Sequence, residues 1–465
     1  MHAASLKYLK NYGAQEAALL LEKEDLPLRG DHCLMVPLCE EALFLPAMVE
    51  SLFNTKAAKE GSLVVVFTLN QSSVASLRVA KDNMATKEWL LEKFPKFKDL
   101  HASPPIWLGK RAGVTALVVE RFEGPYVFKE KEGVGLARKI GGDIGLCLYL
   151  RGKIKSDFLH HTDGDARLCE DYFDISFVKK ETKSLVYGFK HVKENASTEA
   201  FLSLKIYEMW LRYYRLSLAK SGSPYGVHAV GSLMAMRADT YAEVRGFPRR
   251  QAGEDFYLLG KLLKAGPLET LHTHKVELAC RESQRVPFGT GQGTLKIMDL
   301  RKNGEELKVL PPEAFLVLER LLTGCRLILH GEPKKIFDFF SGDWDGDGDG
   351  DWDGDKEEVL KVVDSFNFDK ALMLAKKRAK DAKGAVRQFH NWFDGFKTLK
   401  FLHQLRDACL PAIGLSKALE INGFSDASRR ITGDDFFEQV RLVDEMFPKT
   451  PGFFGVAKKQ VFIDS

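Results

Sequence analysis

Asp163 and Asp165 close an apolar run, Phe158-Leu-His-His-Thr-Asp163-Gly-Asp165, and their i, i+2 spacing is the feature richest in chemistry. Residues two apart on a strand point the same way, so a strand running out into a loop can grip one hard cation between two carboxylates. Few oxygen ligands, with coordination positions left open, suit Mg²⁺ or Mn²⁺ bound together with substrate phosphates. The spacing alone is common. The acidic run Asp343 to Asp355 holds the same pair six times, with no strand leading into any of them.

Three other groups could act beside that pair. Gly253-Glu254-Asp255 opens a helical pattern, with apolar residues at 256, 258, 259, 262 and 263. Carboxylates there complement the helix dipole, and one of them could take a proton from a substrate hydroxyl. Arg281-Glu-Ser-Gln-Arg285-Val-Pro-Phe-Gly289-Thr-Gly291-Gln-Gly293 is a glycine-punctuated basic loop. Its freed backbone N–H groups, with Arg281 and Arg285, suit a diphosphate; a plain surface loop is the other reading. Leu271-His272-Thr-His274-Lys-Val276 alternates, which places His272 and His274 on one strand face. Gly133-x-Gly135 lacks the third glycine of a dinucleotide fingerprint and no GxxxxGK[ST] exists, so NAD-binding and P-loop readings are poor.

Alternating strands and helices must position these residues. Cys33 to Pro37, Leu63 to Phe67 and Val114 to Val119 read as strands, as do the run into Asp163 and Leu185 to Val192. Helical spacing covers Leu45 to Leu52, Val79 to Phe94, Gly135 to Leu150 and Thr198 to Ala219. Leu63-Val-Val-Val-Phe67 is apolar on both faces, as a strand in a covered parallel sheet must be. The succession predicts an open α/β sheet, on which ligands sit outside the carboxyl ends of the strands. The helix Phe201 to Tyr214 carries an aromatic stripe, read first as core packing.

Beyond about residue 303 helical spacing prevails, over Pro311 to Phe340, Val359 to Lys383 and Ala385 to Leu419. The expected organisation is an α/β domain over 1–302, a helical extension over 303–342, an acidic Asp/Gly-rich loop over 343–358 and a helical region over 359–465. Seven aspartates interleaved with glycine repel one another and cannot bury a core, so the loop is expected to be solvated. An EF-hand frame starting at Asp345 meets Lys356 at its twelfth position instead of a glutamate.

A length of 465 residues, 45% hydrophobic and 28% charged, describes an ordinary globular protein of two or three domains. The net charge of +4 is spread along the chain, so no nucleic-acid partner is expected. Seven scattered cysteines, none in a CxxC pair, argue for a reducing compartment. No run approaches the roughly 20 apolar residues of a membrane span. A cytoplasmic location is expected, with peripheral membrane association left open.

The order of these motifs resembles the family 2 glycosyltransferases, from about Cys33 to Gly293. Val36-Pro37-Leu38-Cys39-Glu40-Glu41 looks like that family's opening strand and acidic turn. Val65 to Ser73, with Asn70 at its strand end, resembles the segment that holds the nucleoside. Gly133 to Gly141 is similar to its glycine and arginine segment. Asp163-Gly-Asp165 matches its metal-binding DxD, and Gly231 to Arg237, Gly246-Phe247 and Glu254-Asp255 match its acceptor side. The resemblance implies a GT-A fold, with a mixed sheet flanked by helices, and transfer of a sugar from a nucleoside diphosphate donor. It implies donor contacts from Pro37, Glu41, Asn70, Arg138, Asp163, Arg281 and Arg285, and Asp255 as the base that gives inversion. A Mn²⁺ or Mg²⁺ ion would lie on Asp163 and Asp165, with His272 or His274 completing its shell. Asn70 replaces an aspartate often found in the family, so guanosine and cytidine donors stay open beside uridine. The acceptor, whether sugar, lipid-linked or small molecule, is not specified. Two rivals stand beside this reading, a nucleotidyltransferase-like enzyme and a catalytically silent scaffold.

Overall fold

A computed structural model describes residues 2–194, 196–230, 233–281, 289–332, 335–341, 355–421 and 440–441. Two compact units account for them. One comprises Met1–Leu204 with Ala229–Leu295, the other Lys205–His228 with Lys296–Ser465.

The first unit is built on a ten-stranded mixed sheet. In chain order its strands are β1 (His32–Leu38), β2 (Leu63–Asn70), β3 (Lys96–Ala102), β4 (Pro105–Arg111), β5 (Val114–Arg121), β6 (Phe158–His161), β7 (Ala166–Arg167), β8 (Ser184–Val192), β9 (Met234–Arg237) and β10 (Leu268–Ala279). Across the sheet they run β3-β4-β5-β2-β1-β6-β9-β8-β10-β7. The centre, β5-β2-β1-β6, is parallel. Every residue of β2 is buried, which is why its sequence shows no polar alternation. Sequence periodicity alone does not reveal β9, four residues lying antiparallel between β6 and β8. Nor does it reveal the antiparallel edge of β3 and β4, whose pattern is mostly exposed and polar on β3.

The helix Val134–Leu150 is buried along nearly its whole length. Its small residues are explained by what they touch. A Cβ on Gly145 would sit 2.9 Å from Met35 Sδ on β1, so glycine lets helix and sheet approach closely. A polar network fastens the first helix, His2–Tyr12, to this one. Asp143 accepts from Tyr8 Oη at 2.7 Å, Ala14 N at 2.7 Å and Tyr241 Oη at 3.0 Å, and pairs with Lys139 Nζ at 2.9 Å.

The second unit is helical. Pro312–His330, Ile336–Ser341, Lys356–Ser365, Phe368–Arg378, Ala382–Trp392, Gly395–Ala408 and Leu415–Ile421 follow one another, with a two-residue ladder between Lys308–Val309 and Ile413–Gly414. Its core collects Leu318, Leu321, Phe340, Phe368, Phe389 and Phe401 among others. The spacing over Val359 to Lys383 reads as continuous, yet the helix breaks at Asn367, which takes a left-handed φ of 54°. Asp381 then caps the next helix through Gly384 N. Most of the acidic tract, residues 342–354, lies outside the described residues, and so does most of the calcium-loop frame.

Candidate functional site

Most of the candidate residues meet at the carboxyl edge of the parallel strands. β1 delivers the Glu40-Glu41 turn, β2 ends on Asn70, and β6 runs into Asp163. The chain then turns back through β7 onto β10, where Ala279 N donates to Asp165 O at 3.2 Å. That bond places Arg281, two residues beyond β10, beside the carboxylate pair. Gly164 lets the loop pack closely between the two aspartates, since a Cβ there would lie 2.9 Å from Leu38 Cδ2 and 3.1 Å from Glu41 Cγ.

Both aspartates face guanidinium groups. Arg138 Nη2 donates to Asp163 Oδ1 at 2.7 Å, and its Nε donates to Glu254 Oε1 at 2.8 Å. Arg138 and Glu254 are 5% and 3% exposed, so this is a buried bridge from the DxD loop to the helix Glu254–Ala265. Arg281 Nη1 lies 2.8 Å from Glu41 Oε1 and 3.3 Å from Asp165 Oδ2, while its Nη2 donates to Glu40 O at 2.9 Å. Its guanidinium also rests over the Phe44 ring at 4.6 Å. Charge-assisted pairs of this kind are short and directional.

Asp255 sits beside that bridge. The helix it opens is entered through Gly253 at φ 71°, a conformation that glycine adopts without strain. Asp255 Oδ1 accepts from Phe256 N at 2.7 Å. Burial, and then the neighbouring Glu254 charge, lift its pKa to about 6, against the opposing pull of Arg138. Burial likewise lifts Asp163 to about 7, with Arg138 holding it down and Asp165 adding to the rise. These are the pKa ranges in which a carboxyl can act as a base near neutral pH.

The remaining candidates make structural contacts or lie elsewhere. Pro37 is buried inside β1, opposite Thr68. Asn70 donates its amide hydrogens to Leu38 O at 2.9 Å and Thr68 O at 3.1 Å, so it staples β1 to β2. His272 and His274 occupy an interruption in the β8–β10 ladder between Leu271 and Val276. His274 packs against Phe177, with ring centroids 5.2 Å apart, and shares a 2.9 Å hydrogen bond with Thr273 Oγ1. Among the described residues neither histidine joins Asp163 and Asp165 in a set of three ligand side chains. Arg285, and Gly231 of the acceptor-side segment, lie outside the described residues.

Two residues of this neighbourhood escape sequence reasoning. Asn83, fully buried on the helix Leu77–Lys93, accepts from Glu40 N at 2.9 Å and donates to Asn70 O at 3.1 Å. It therefore ties the two strand ends together, and an asparagine within helical spacing carries no such signal. His161, just before the DxD, is buried against Phe247 and Tyr241, and burial drives its pKa down to about 3.

Neither a protein-family model nor a curated protein sequence matches the chain. Among solved structures it is similar to S. aureus TarS 1–349 in complex with UDP-GlcNAc, at 10% identity over 78% of this chain and 91% of that one, with a TM-score of 0.34. It is similar to the mannosyltransferase PcManGT from Pyrobaculum calidifontis in complex with GDP-Man and Mn²⁺, at 14% identity over 96% and 95%, TM-score 0.34. Glucosyl-3-phosphoglycerate synthase from Mycobacterium tuberculosis in complex with UDP matches at 10% identity over 63% and 87%, TM-score 0.30.

The carboxyl edge carries oxygen donors of the kind hard cations take, though among the described residues they are not gathered into a ligand set. Four carboxylates, Glu41, Asp163, Asp165 and Glu254, face two guanidinium groups, which leaves negative charge in excess. Oxygen donors with surplus charge are what Mg²⁺ and Mn²⁺ select. Among the described residues no three His, Cys, Asp or Glu side chains converge as a ligand set. Arg281 Nη1 is the cation that now stands between Glu41 and Asp165.

Proposed function

We propose that this chain is an inverting, divalent-metal-dependent glycosyltransferase of GT-A type, moving a sugar from a nucleoside diphosphate donor to an acceptor hydroxyl. The observation that carries the reading is the gathering of Asp163, Asp165, Arg138, Arg281 and Glu41 at the carboxyl edge, with Asp255 opening the adjoining helix. Open α/β sheets bind their ligands in that crevice.

Asp163 and Asp165 would hold Mn²⁺ or Mg²⁺, whose chemistry there is Lewis-acid stabilisation of the charge that develops on the departing diphosphate. Arg281 would bind and orient the diphosphate. Arg138 holds Asp163 in place and fixes the helix that carries Asp255. Asp255 would remove the proton from the attacking hydroxyl at its carboxylate oxygen, and attack from the face opposite the leaving group inverts the anomeric carbon. His272 and His274 take no part in this reading. Pro37, Asn70 and Asn83 shape the strand ends that the nucleoside would meet.

Favouring a catalytically silent nucleotide-binding scaffold is the pairing of both DxD carboxylates with arginines. The test is a thermal-shift screen against nucleoside diphosphates and their sugars, with and without Mn²⁺, followed by donor hydrolysis. Metal-dependent stabilisation by a nucleoside diphosphate together with slow release of free sugar supports the transferase. Stabilisation without hydrolysis supports the scaffold, and no stabilisation by any donor refutes both.

A further inference from the structure

The second unit holds a cavity of about 420 Å³ between the helices Phe368–Arg378 and Ala382–Trp392. The two helices form an antiparallel hairpin, since Phe368 at the start of one packs against Trp392 at the end of the other, centroids 5.6 Å apart. The volume falls in the range of small-ligand sites, and the cavity is half open to solvent. Three kinds of group line it. Phe366 and Trp392 give aromatic wall, Asn367 and Gln388 give amides, and Lys370 and Arg378 give positive charge.

The charge is not neutralised locally. Lys370 and Arg378 enter no ion pair among the described residues, and no carboxylate lines the cavity. Residues 366–392 carry Lys370, Lys376, Lys377, Arg378, Lys380, Lys383 and Arg387 against only Asp369 and Asp381. Both acids are spent on backbone, Asp369 accepting from Ile336 N at 2.9 Å and Asp381 from Gly384 N at 2.7 Å. An unpaired cation on a helix surface is ordinary. Two of them in one cavity, with amides and aromatic walls between, define a ligand with matching parts.

We propose that this cavity is a binding site for a phosphorylated carbohydrate, separate from the donor site of the first unit. Aromatic side chains suit the C–H face of a sugar ring, amides pair with hydroxyls in either sense, and Lys and Arg bind phosphate oxygens. Lys370 and Arg378 lie eight residues apart, about 12 Å along the helix axis. One phosphate at either end of a sugar therefore meets a cation, as does each end of a sugar bridged by two phosphates. The site does not depend on the sugar-transfer reading of the first unit.

The test is isothermal titration of the full-length chain with glucose 1-phosphate, glucose, inorganic phosphate and UMP. Glucose 1-phosphate is expected to bind at one site, more tightly than glucose or phosphate alone. Lys370→Gln/Arg378→Gln, both exposed positions, should weaken it at least ~10-fold, since charge-assisted hydrogen bonds are the strong ones. Trp392→Leu should weaken it independently of charge. Asp163→Asn/Asp165→Asn should leave it unchanged. Absence of saturation up to about 10 mM, weaker than any useful affinity, overturns the proposal. So does equal binding by the Lys370/Arg378 variant, or loss of binding in the aspartate variant, which would place the ligand in the donor site.

Discussion

Arg138→Gln tests the bridge that ties the DxD loop to the helix of the proposed base. The guanidinium holds Asp163 on one side and Glu254 on the other, and both it and Glu254 are almost wholly buried. Removing one partner of such a pair leaves a buried charge uncompensated and costs about 3–5 kcal/mol. At about 2–4 °C per kcal/mol for a domain of this order of size, scanning calorimetry should show a loss of roughly 6–20 °C. The deficit must also depend on pH. Asp163 already sits high, at about 7, because burial outweighs the pull of Arg138. Without that pull it rises further. A carboxyl whose folded pKa exceeds its unfolded value destabilises the fold progressively as pH climbs from the unfolded to the folded pKa. The variant should therefore be closest to wild type near pH 5 and furthest from it above pH 8. Glu254→Gln, which leaves Arg138 paired with Asp163, should cost less than Arg138→Gln. A deficit that is the same at pH 5 and pH 8.5, or a Glu254→Gln variant as unstable as Arg138→Gln, would refute an electrostatic origin.

Asp255→Asn should lower turnover about 10²–10⁴-fold with donor affinity nearly unchanged, measured by steady-state kinetics and donor titration. Because burial lifts Asp255 to about 6, kcat/KM of the wild type should fall as pH drops below that value and level off above it, a limb absent from the variant. Asp163→Asn/Asp165→Asn should abolish Mn²⁺-dependent stabilisation by nucleoside diphosphate in a thermal-shift assay, while Arg138 keeps Glu254 as a partner. His274→Ala should leave Mn²⁺-dependent donor binding as it is, since the ring packs on Phe177 and bonds Thr273; a loss would return it to the metal shell.

How much of this was legible in the sequence follows from the range of the interactions. The apolar run into Asp163 marks a strand end by local pattern, and the structure delivers β6 there. The all-apolar stretch at Leu63 similarly becomes the buried β2. Local pattern cannot report that Arg138 reaches Glu254 across 116 residues, or that Arg281 reaches Glu41 across 240. Those pairings are set by strand order, which places β10 beyond β8 and returns it through β7 to the DxD loop. His272 and His274 show the limit of local pattern in another way. Their alternation is that of a regular strand, but the ladder is interrupted where they stand.

Arg281 stands where a metal ion on Asp165 would have to settle. Its Nη1 lies within 2.8 Å of Glu41 and 3.3 Å of Asp165, so a divalent ion and this guanidinium compete for the same oxygens. Attraction between a guanidinium and two carboxylates must be given up before a cation can settle there, and the surplus negative charge then drops as the ion enters. Arg281→Gln removes the competitor and leaves the oxygens in place. Titration of Mn²⁺ followed by electron paramagnetic resonance, without any nucleotide, should show tighter binding by the variant than by wild type. Donor binding should move the other way, because the diphosphate loses its guanidinium. Tighter Mn²⁺ with weaker donor binding is a combination that loss of folding cannot produce. Mn²⁺ affinity equal to or below wild type would mean that Asp165 does not hold the ion, and the metal site would have to be sought elsewhere.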